Sequence, residues 1–120
     1  MVSQSQNLWL EVDQIGDVTV VRFKIPWILK EGTIEAIGEA LYGLAEGSSC
    51  RKIVLNFGNV KSLASTMFGK LTALHQRIEA SGGRLALCSI DPGLHEVFET
   101  VKLVGLLPIY ENEPEAIQSF

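Results

Sequence analysis

Three hydroxyls, Ser62, Ser65 and Thr66, stand between an apolar run of buried-strand character, Ile53 to Leu55, and a helical pattern that sets in at Ser65. Hydroxyls at the start of a helix lie beside backbone N–H groups that have no intrahelical partner and beside the positive end of the helix dipole. A phosphate is well tolerated there, so this turn predicts a phosphorylation switch. Ser65 also has a purely structural reading, as an N-cap whose Oγ accepts a hydrogen bond from the N–H of Met67 or Phe68, worth about 1 kcal/mol. Both readings use the same atom.

Other residue types that could do chemistry are poorly arranged for it. No carboxylate or cysteine arrangement places His75 and His95 in a recognisable triad, and His75 falls on the polar side of its helix, which predicts solvent-exposed histidines. Cys50 and Cys88 are far apart, with no CxxC around either, and read as reduced, inert thiols. Gly82-Gly83 and Asp91-Pro-Gly93 lack the spacing of a phosphate-binding loop and read as a helix end and a helix start. No acid–base pair or activated nucleophile stands out, so the expectation is a protein that is not an enzyme and uses no cofactor.

Size and composition frame the rest. At 120 residues, 47% of them hydrophobic, the chain can build one core without metals or disulfides, which predicts a single domain over residues 1–120 with a flexible segment at residues 1–7. No apolar run approaches the roughly 18 residues that a membrane-spanning helix needs, and the N-terminus lacks a signal core. A soluble, cytoplasmic protein without direct membrane insertion is expected. The net charge is −4 and the Lys and Arg residues are scattered singly, without interleaved aromatics, which argues against a nucleic-acid partner.

The elements that must position the hydroxyls follow from periodicity. Leu8 to Val12 and Val18 to Phe23 are rich in β-favouring residues and split by Gln14-Ile-Gly-Asp17, which predicts a hairpin. Lys24 to Lys30 reads as a loop, because Pro26 lacks a ladder donor; its Trp27, Ile28 and Leu29 are either an exposed contact patch or a cover for the end of the core. Thr33 is the predicted N-cap of a helix with Ile34, Ile37, Leu41 and Leu44 on one face. Met67, Leu71, Leu74 and Ile78 predict a second helix from Ser65 to the stop at Ser81-Gly82-Gly83, with Phe68 beside the stripe as core or contact.

Leu85 to Cys88 repeats the continuous apolar pattern of a strand covered on both faces. Asp91-Pro92 predicts the start of a third helix, with Leu94, Val97, Phe98 and Val101 on its apolar face and Gly105 at its end. Pro108-Ile-Tyr110 reads as a brief edge strand, and Asn112 with Glu115 as a capping box for a last helix through Ile117. This order predicts an α/β fold: a mixed, mostly parallel central sheet of about four to five strands with about four helices.

These residues resemble the STAS family, named for sulphate transporters and anti-sigma factor antagonists. Val54-Leu-Asn-Phe-Gly-Asn-Val-Lys-Ser-Leu-Ala-Ser-Thr-Met-Phe-Gly69 is similar to the family's strand and its D-L-S-x-V-x-x-I-D-S-S-G-L-G segment. Arg84 to Cys88, Leu94 to Gly105 and Glu115-Ala-Ile117 fall where the family has a strand, a helix and a final E-A-L/I. The resemblance implies an anti-sigma factor antagonist, whose serine is phosphorylated by a partner that is both anti-sigma factor and serine protein kinase, and restored by a cognate phosphatase. By position that serine is Ser65, with Thr66 next to it. The implied partner-binding set is Ser62, Ser65, Thr66, Met67, Phe68, Trp27 and Ile28. Ala64 replaces the family's Asp, Met67 its Gly, and Pro26-Trp27 stands where many relatives have glycine. A second function implied by the resemblance is a non-phosphorylated subunit docking to the ATPase of a membrane transporter.

Overall fold

Alternating side chains on short strands decide which way each strand faces, and helices then cover the faces that are apolar. The computed structural model describes residues 8–46, 51–103 and 105–120; the segment 1–7 and Cys50 lie outside the described residues. The elements are β1 (Leu10–Ile15), β2 (Val18–Phe23), β3 (Trp27–Ile28), α1 (Glu31–Glu46), β4 (Lys52–Asn56), β5 (Ser62–Leu63), α2 (Ser65–Ala80), β6 (Arg84–Cys88), α3 (Pro92–Thr100), β7 (Ile109–Tyr110) and α4 (Glu113–Gln118).

The central sheet has five strands in the order β1-β2-β4-β6-β7. β1 and β2 pair antiparallel through a turn in which Gly16 takes φ +62°, and every later pairing is parallel. This is the mixed, mostly parallel architecture expected, with four helices. One face of the sheet carries Val21, Phe23, Ile53, Leu55, Leu85 and Leu87 and packs under α1, α2 and α3 through Ile37, Leu41, Leu71, Leu74, Ile78 and Phe98. The opposite face, Val18, Val20, Val54, Ala86 and Cys88, is covered by Ala116 of α4 with Ile117 and Phe120. Cys88 is buried there as a free thiol, and burial pushes its pKa up, consistent with an unreactive group.

Several local expectations are corrected. The loop 24–30 contains β3, which pairs in parallel with β5 as a separate two-stranded ribbon. Pro26 offers no N–H, but its carbonyl accepts from Lys61 N (2.7 Å) and Ser62 N (3.2 Å), so the proline enters the ribbon as an acceptor. α1 begins two residues ahead of Thr33, because the Lys30 carbonyl already takes Ile34 N at 2.9 Å. α3 stops at Thr100, where Lys102 turns left-handed (φ 63°), not at Gly105; Leu94 and Phe98 are buried, whereas Val97 and Val101 are about 40% exposed. His75 is half-buried rather than exposed: it sits one turn from Leu71 and Ile78 on the buried stripe, and its Nε2 lies 3.5 Å from Glu79. His95 is likewise half-buried.

The stop of α2 falls where expected. Gly82 is left-handed at φ +84°, and a Cβ on Gly83 would lie 2.5 Å from the Arg51 carbonyl oxygen, so only glycine lets β6 begin this close to β4. Asp91 Oδ2 accepts from Gly93 N at 3.0 Å, as an N-cap with proline at the first helical position should. Asn112 Oδ1 caps Glu115 N at 3.0 Å, while Glu115 returns its bond to Glu111 N rather than to Asn112 itself.

Candidate functional site

Strand β4 runs out of apolar residues at Asn56, and the chain must then turn across the end of the sheet to reach α2. Asn56 Oδ1 accepts from Gly58 N (2.7 Å), the Phe57 carbonyl accepts from Val60 N (2.9 Å), and Asn59 Nδ2 donates to the Phe23 carbonyl (3.2 Å). These bonds fold residues 56–60 into a tight turn. Val60, fully buried, anchors it from below.

Beyond the turn, β5 lies against β3 with Trp27 opposite Ser62 and Ile28 opposite Leu63. Ala64 N then donates to the Ile28 carbonyl at 2.9 Å, which holds the last residue before α2 on the ribbon. Within the ribbon Ile28 and Leu63 face the core, Trp27 is 63% exposed, and Ser62 is half-buried on the outer side.

The start of α2 departs from the cap geometry expected of Ser65. Ala64 occupies the N-cap position in an extended conformation, no side chain caps the helix, and Met67 N bonds the Ala64 carbonyl at 2.9 Å. Ser65 is therefore the first helical residue, and the N-cap reading of its Oγ is corrected: a one-residue shift carries the hydroxyl past the position from which it could accept. Ser65 and Thr66 are both exposed, and neither hydroxyl is held by a side-chain hydrogen bond among the described residues. The helix start keeps donor groups uncovered by any side chain, and its first turn carries no carboxylate.

Met67, Phe68 and Ile28, named with these hydroxyls as contact residues, turn inward. Met67 and Ile28 are fully buried and Phe68 is nearly so. Phe68 stands edge-on to Phe98 (5.0 Å between centroids), Phe98 meets Phe57 (6.1 Å), and Phe57 meets Phe23 (4.8 Å). This row of rings ties the first turn of α2 to α3 and to the hairpin. Its residues fix the platform on which Ser62, Ser65 and Thr66 stand.

Periodicity alone misses one further group. Glu113, first residue of α4, receives Arg22 through two bonds (2.7 and 3.0 Å) and also accepts from Asn56 Nδ2. Arg22 holds the Glu113 carboxyl below its ordinary pKa, Asn56 adds to the effect, and Glu113 in turn raises that of Arg22. Asn56 is thereby oriented, its nitrogen on Glu113 and its oxygen on the turn at Gly58. Arg22 and Glu113 are 91 positions apart, so no local pattern announces them; the Asn-x-Gly spacing of the turn is the one readable signal.

The described residues contain no group of three or more His, Cys, Asp or Glu that could hold a metal ion, and no helix among them is long and apolar enough to cross a membrane. The arrangement is an exposed pair of hydroxyls at an uncapped helix start, set above side chains that belong to the core.

Comparison with known proteins agrees with this construction. The family model for the STAS domain matches residues 10–116. A Paenibacillus polymyxa protein named anti-sigma F factor antagonist is 26% identical over 111 residues, covering 92% of this chain and 93% of that protein. The structure of an anti-sigma-factor antagonist (STAS) domain protein from Planctomyces limnophilus superposes with a TM-score of 0.80 at 26% identity, over 92% of this chain and 95% of the other. The Bacillus cell fate determinant SpoIIAA in its phosphorylated form has the same fold, with a TM-score of 0.69 at 21% identity over 92% and 97% of the two chains. With an α/β core, a β4–turn–α2 segment and a match from Leu10 to Ala116, the chain belongs to the STAS domain family.

Proposed function

We propose that the protein is an anti-sigma factor antagonist that works by partner switching and catalyses no reaction of its own. The observation that carries this reading is Ser65: exposed, at the first position of α2, uncommitted to capping, and beside backbone donors that no side chain covers. Unphosphorylated, the surface of Ser62, Ser65, Thr66 and Trp27 binds an anti-sigma factor that is also a serine protein kinase. That kinase phosphorylates Ser65, with Thr66 as the adjacent reserve, and a cognate phosphatase reverses the step. The dianion is stabilised by the α2 dipole yet presents three new acceptor oxygens and a charge of about −1.5 to −2 to a partner fitted to a neutral hydroxyl.

Two relatives support the reading: the Paenibacillus polymyxa protein carries the name of this function, and SpoIIAA, of the same fold, has been solved in a phosphorylated form. Ala64 is compatible with it, since no carboxylate precedes Ser65 to oppose the phosphate. The test is recovery of tagged wild type and Ser65→Asp from the native cell, with identification of bound proteins and intact-mass measurement. Wild type should retrieve an anti-sigma factor kinase and show a phosphorylated fraction mapped to Ser65, and Ser65→Asp should retrieve none. Equal retrieval by both forms, together with no phosphate on Ser65, would overturn it. A transporter ATPase recovered equally by both would instead establish the second function, a non-phosphorylated subunit.

A further inference from the structure

Charge is divided in this chain in a way that single spacings along the sequence conceal. Residues 18–30 and 51–78 hold eight of the ten Lys and Arg residues and none of the fourteen Asp and Glu residues. These segments build β2, β3, β4, β5 and α2 up to Ile78, and the ribbon of β3 and β5 brings them together beside Ser65. Four of the eight cations are neutralised from outside: Arg22 by Glu113, Lys52 by Asp17, Lys70 by Glu35 and Arg77 by Glu46. Lys30 and Lys61 are exposed and form no ion pair among the described residues. The nearest carboxylate in sequence, Glu31, lies in the first turn of α1.

An apolar depression lies beside Lys30. Ile25, Pro26, Trp27, Leu29, Lys30 and Thr33 line a cavity of about 370 Å³, and Trp27 and Leu29 remain 63% and 51% exposed at its rim. Lys61 is not part of this lining but is tied to it through its backbone, its N–H donating to the Pro26 carbonyl at 2.7 Å. An uncovered tryptophan at a concave site is the residue type that anchors protein interfaces, and the unpaired cations beside it select the charge of what docks.

We propose that the Trp27–Leu29 depression, with Lys30 in its lining and the exposed Lys61 bonded through its backbone to Pro26, docks an acidic segment of the partner that inserts an apolar side chain between its carboxylates. The inference rests on the reading of Ser65 as the switch, and it supplies the reason a phosphate there works. Ala64 is bonded to Ile28, so Ser65 follows directly on the ribbon that carries the depression. A phosphate at Ser65 adds negative charge at the end of the ribbon that carries the surface receiving carboxylates, and its repulsion of them is screened over a Debye length of about 8 Å. An anionic bilayer is the weaker fit, because two unpaired lysines fall short of the roughly four to eight basic residues of lipid-binding clusters, and the site is concave.

The test is selection of a displayed library of random dodecapeptides on the wild-type protein, followed by anisotropy titration of the enriched peptides. Enrichment of sequences with carboxylates flanking a large apolar residue is expected. Their affinity should fall about tenfold or more in Lys30→Glu/Lys61→Glu and in Trp27→Ala, and fall again as salt is raised. All substituted side chains are exposed, so thermal melts should match wild type. Enriched peptides that are neutral or basic, or that bind the double charge reversal as tightly as wild type, would overturn the proposal. So would binding to phosphatidylserine vesicles with the same dependence on Trp27 and the lysines. If acidic peptides require Trp27 and the lysines but bind Ser65→Asp undiminished, the docking surface stands and the Ser65 switch fails. If Ser65→Asp abolishes partner capture while the lysines prove irrelevant, the switch stands and this docking surface fails.

Discussion

Ser65, at the first position of α2, is not used as its cap. A serine that caps a helix is committed to a backbone N–H. In this chain Ala64 occupies the cap position without a side-chain acceptor, and Ser65 stands free one residue later. Ser65→Ala should therefore change unfolding free energy by less than about 0.5 kcal/mol, the usual range for a surface substitution away from special features. Asp91→Ala, which deletes a formed cap on α3, should cost about 1 kcal/mol, and Ala64→Ser should stabilise by about 0.5–1 kcal/mol by supplying the missing acceptor. Urea denaturation of the three variants checks this, and a cost near 1 kcal/mol for Ser65→Ala would mean that its hydroxyl caps after all. The hydroxyl turn was legible because apolar periodicity locates a helix start. Helix ends read from periodicity are uncertain by one or two residues, and here one residue decides whether Oγ is bound or free.

At the scale of elements, the turn that delivers Ser65 is clamped by the last helix of the chain. Glu113 binds Arg22 on β2 and Asn56 on β4, and Asn56 in turn holds Gly58, so α4 braces the end of the sheet from which the site departs. Glu113→Gln should cost about 1.5–3 kcal/mol at neutral pH, the range of a hydrogen bond to a charged group. The sign of its pH dependence follows from the depressed carboxyl of Glu113. Its contribution is full above the ordinary carboxylate pKa of about 4.3 and is lost as pH falls through the lower value it has in the fold. Denaturation of wild type and Glu113→Gln at neutral pH and below about pH 4 should show the gap closing in acid; a gap independent of pH would remove the ion pair as its source. The long elements were readable because Met67, Leu71, Leu74 and Ile78, or Ile53 to Leu55, repeat a single period. The β3–β5 ribbon was not, because two-residue strands carry no period and Pro26 argues against a strand until its carbonyl is seen to be the group that bonds. The Arg22–Glu113 clamp was not legible for a simpler reason: it is made only when the chain is closed.

For the molecule as a whole, a switch is useful only if the two states share one fold. The aromatic row Phe23–Phe57–Phe98–Phe68 runs from the hairpin to the first turn of α2 beneath the site, while Ser65 and Thr66 lie outside it. On the proposed reading, binding and stability are thus carried by different atoms of the same turn. Phe98→Ala, at a fully buried position, should cost about 3–5 kcal/mol, a large share of the roughly 5–15 kcal/mol available to a domain. Ser65→Asp puts a carboxylate at the positive end of α2, where the dipole contributes about 0.3–1 kcal/mol in its favour. Its melting temperature should therefore equal that of wild type or exceed it by a few degrees, at about 2–8 °C per kcal/mol for domains of this size range. Far-ultraviolet circular dichroism with thermal melts of the two variants separates the cases. Loss of partner capture by Ser65→Asp at an unchanged or raised melting temperature means that charge at one exposed position controls binding. A fall in melting temperature approaching that of Phe98→Ala would mean instead that the site and the core are one cooperative unit, and that Ser65 acts by loosening the fold.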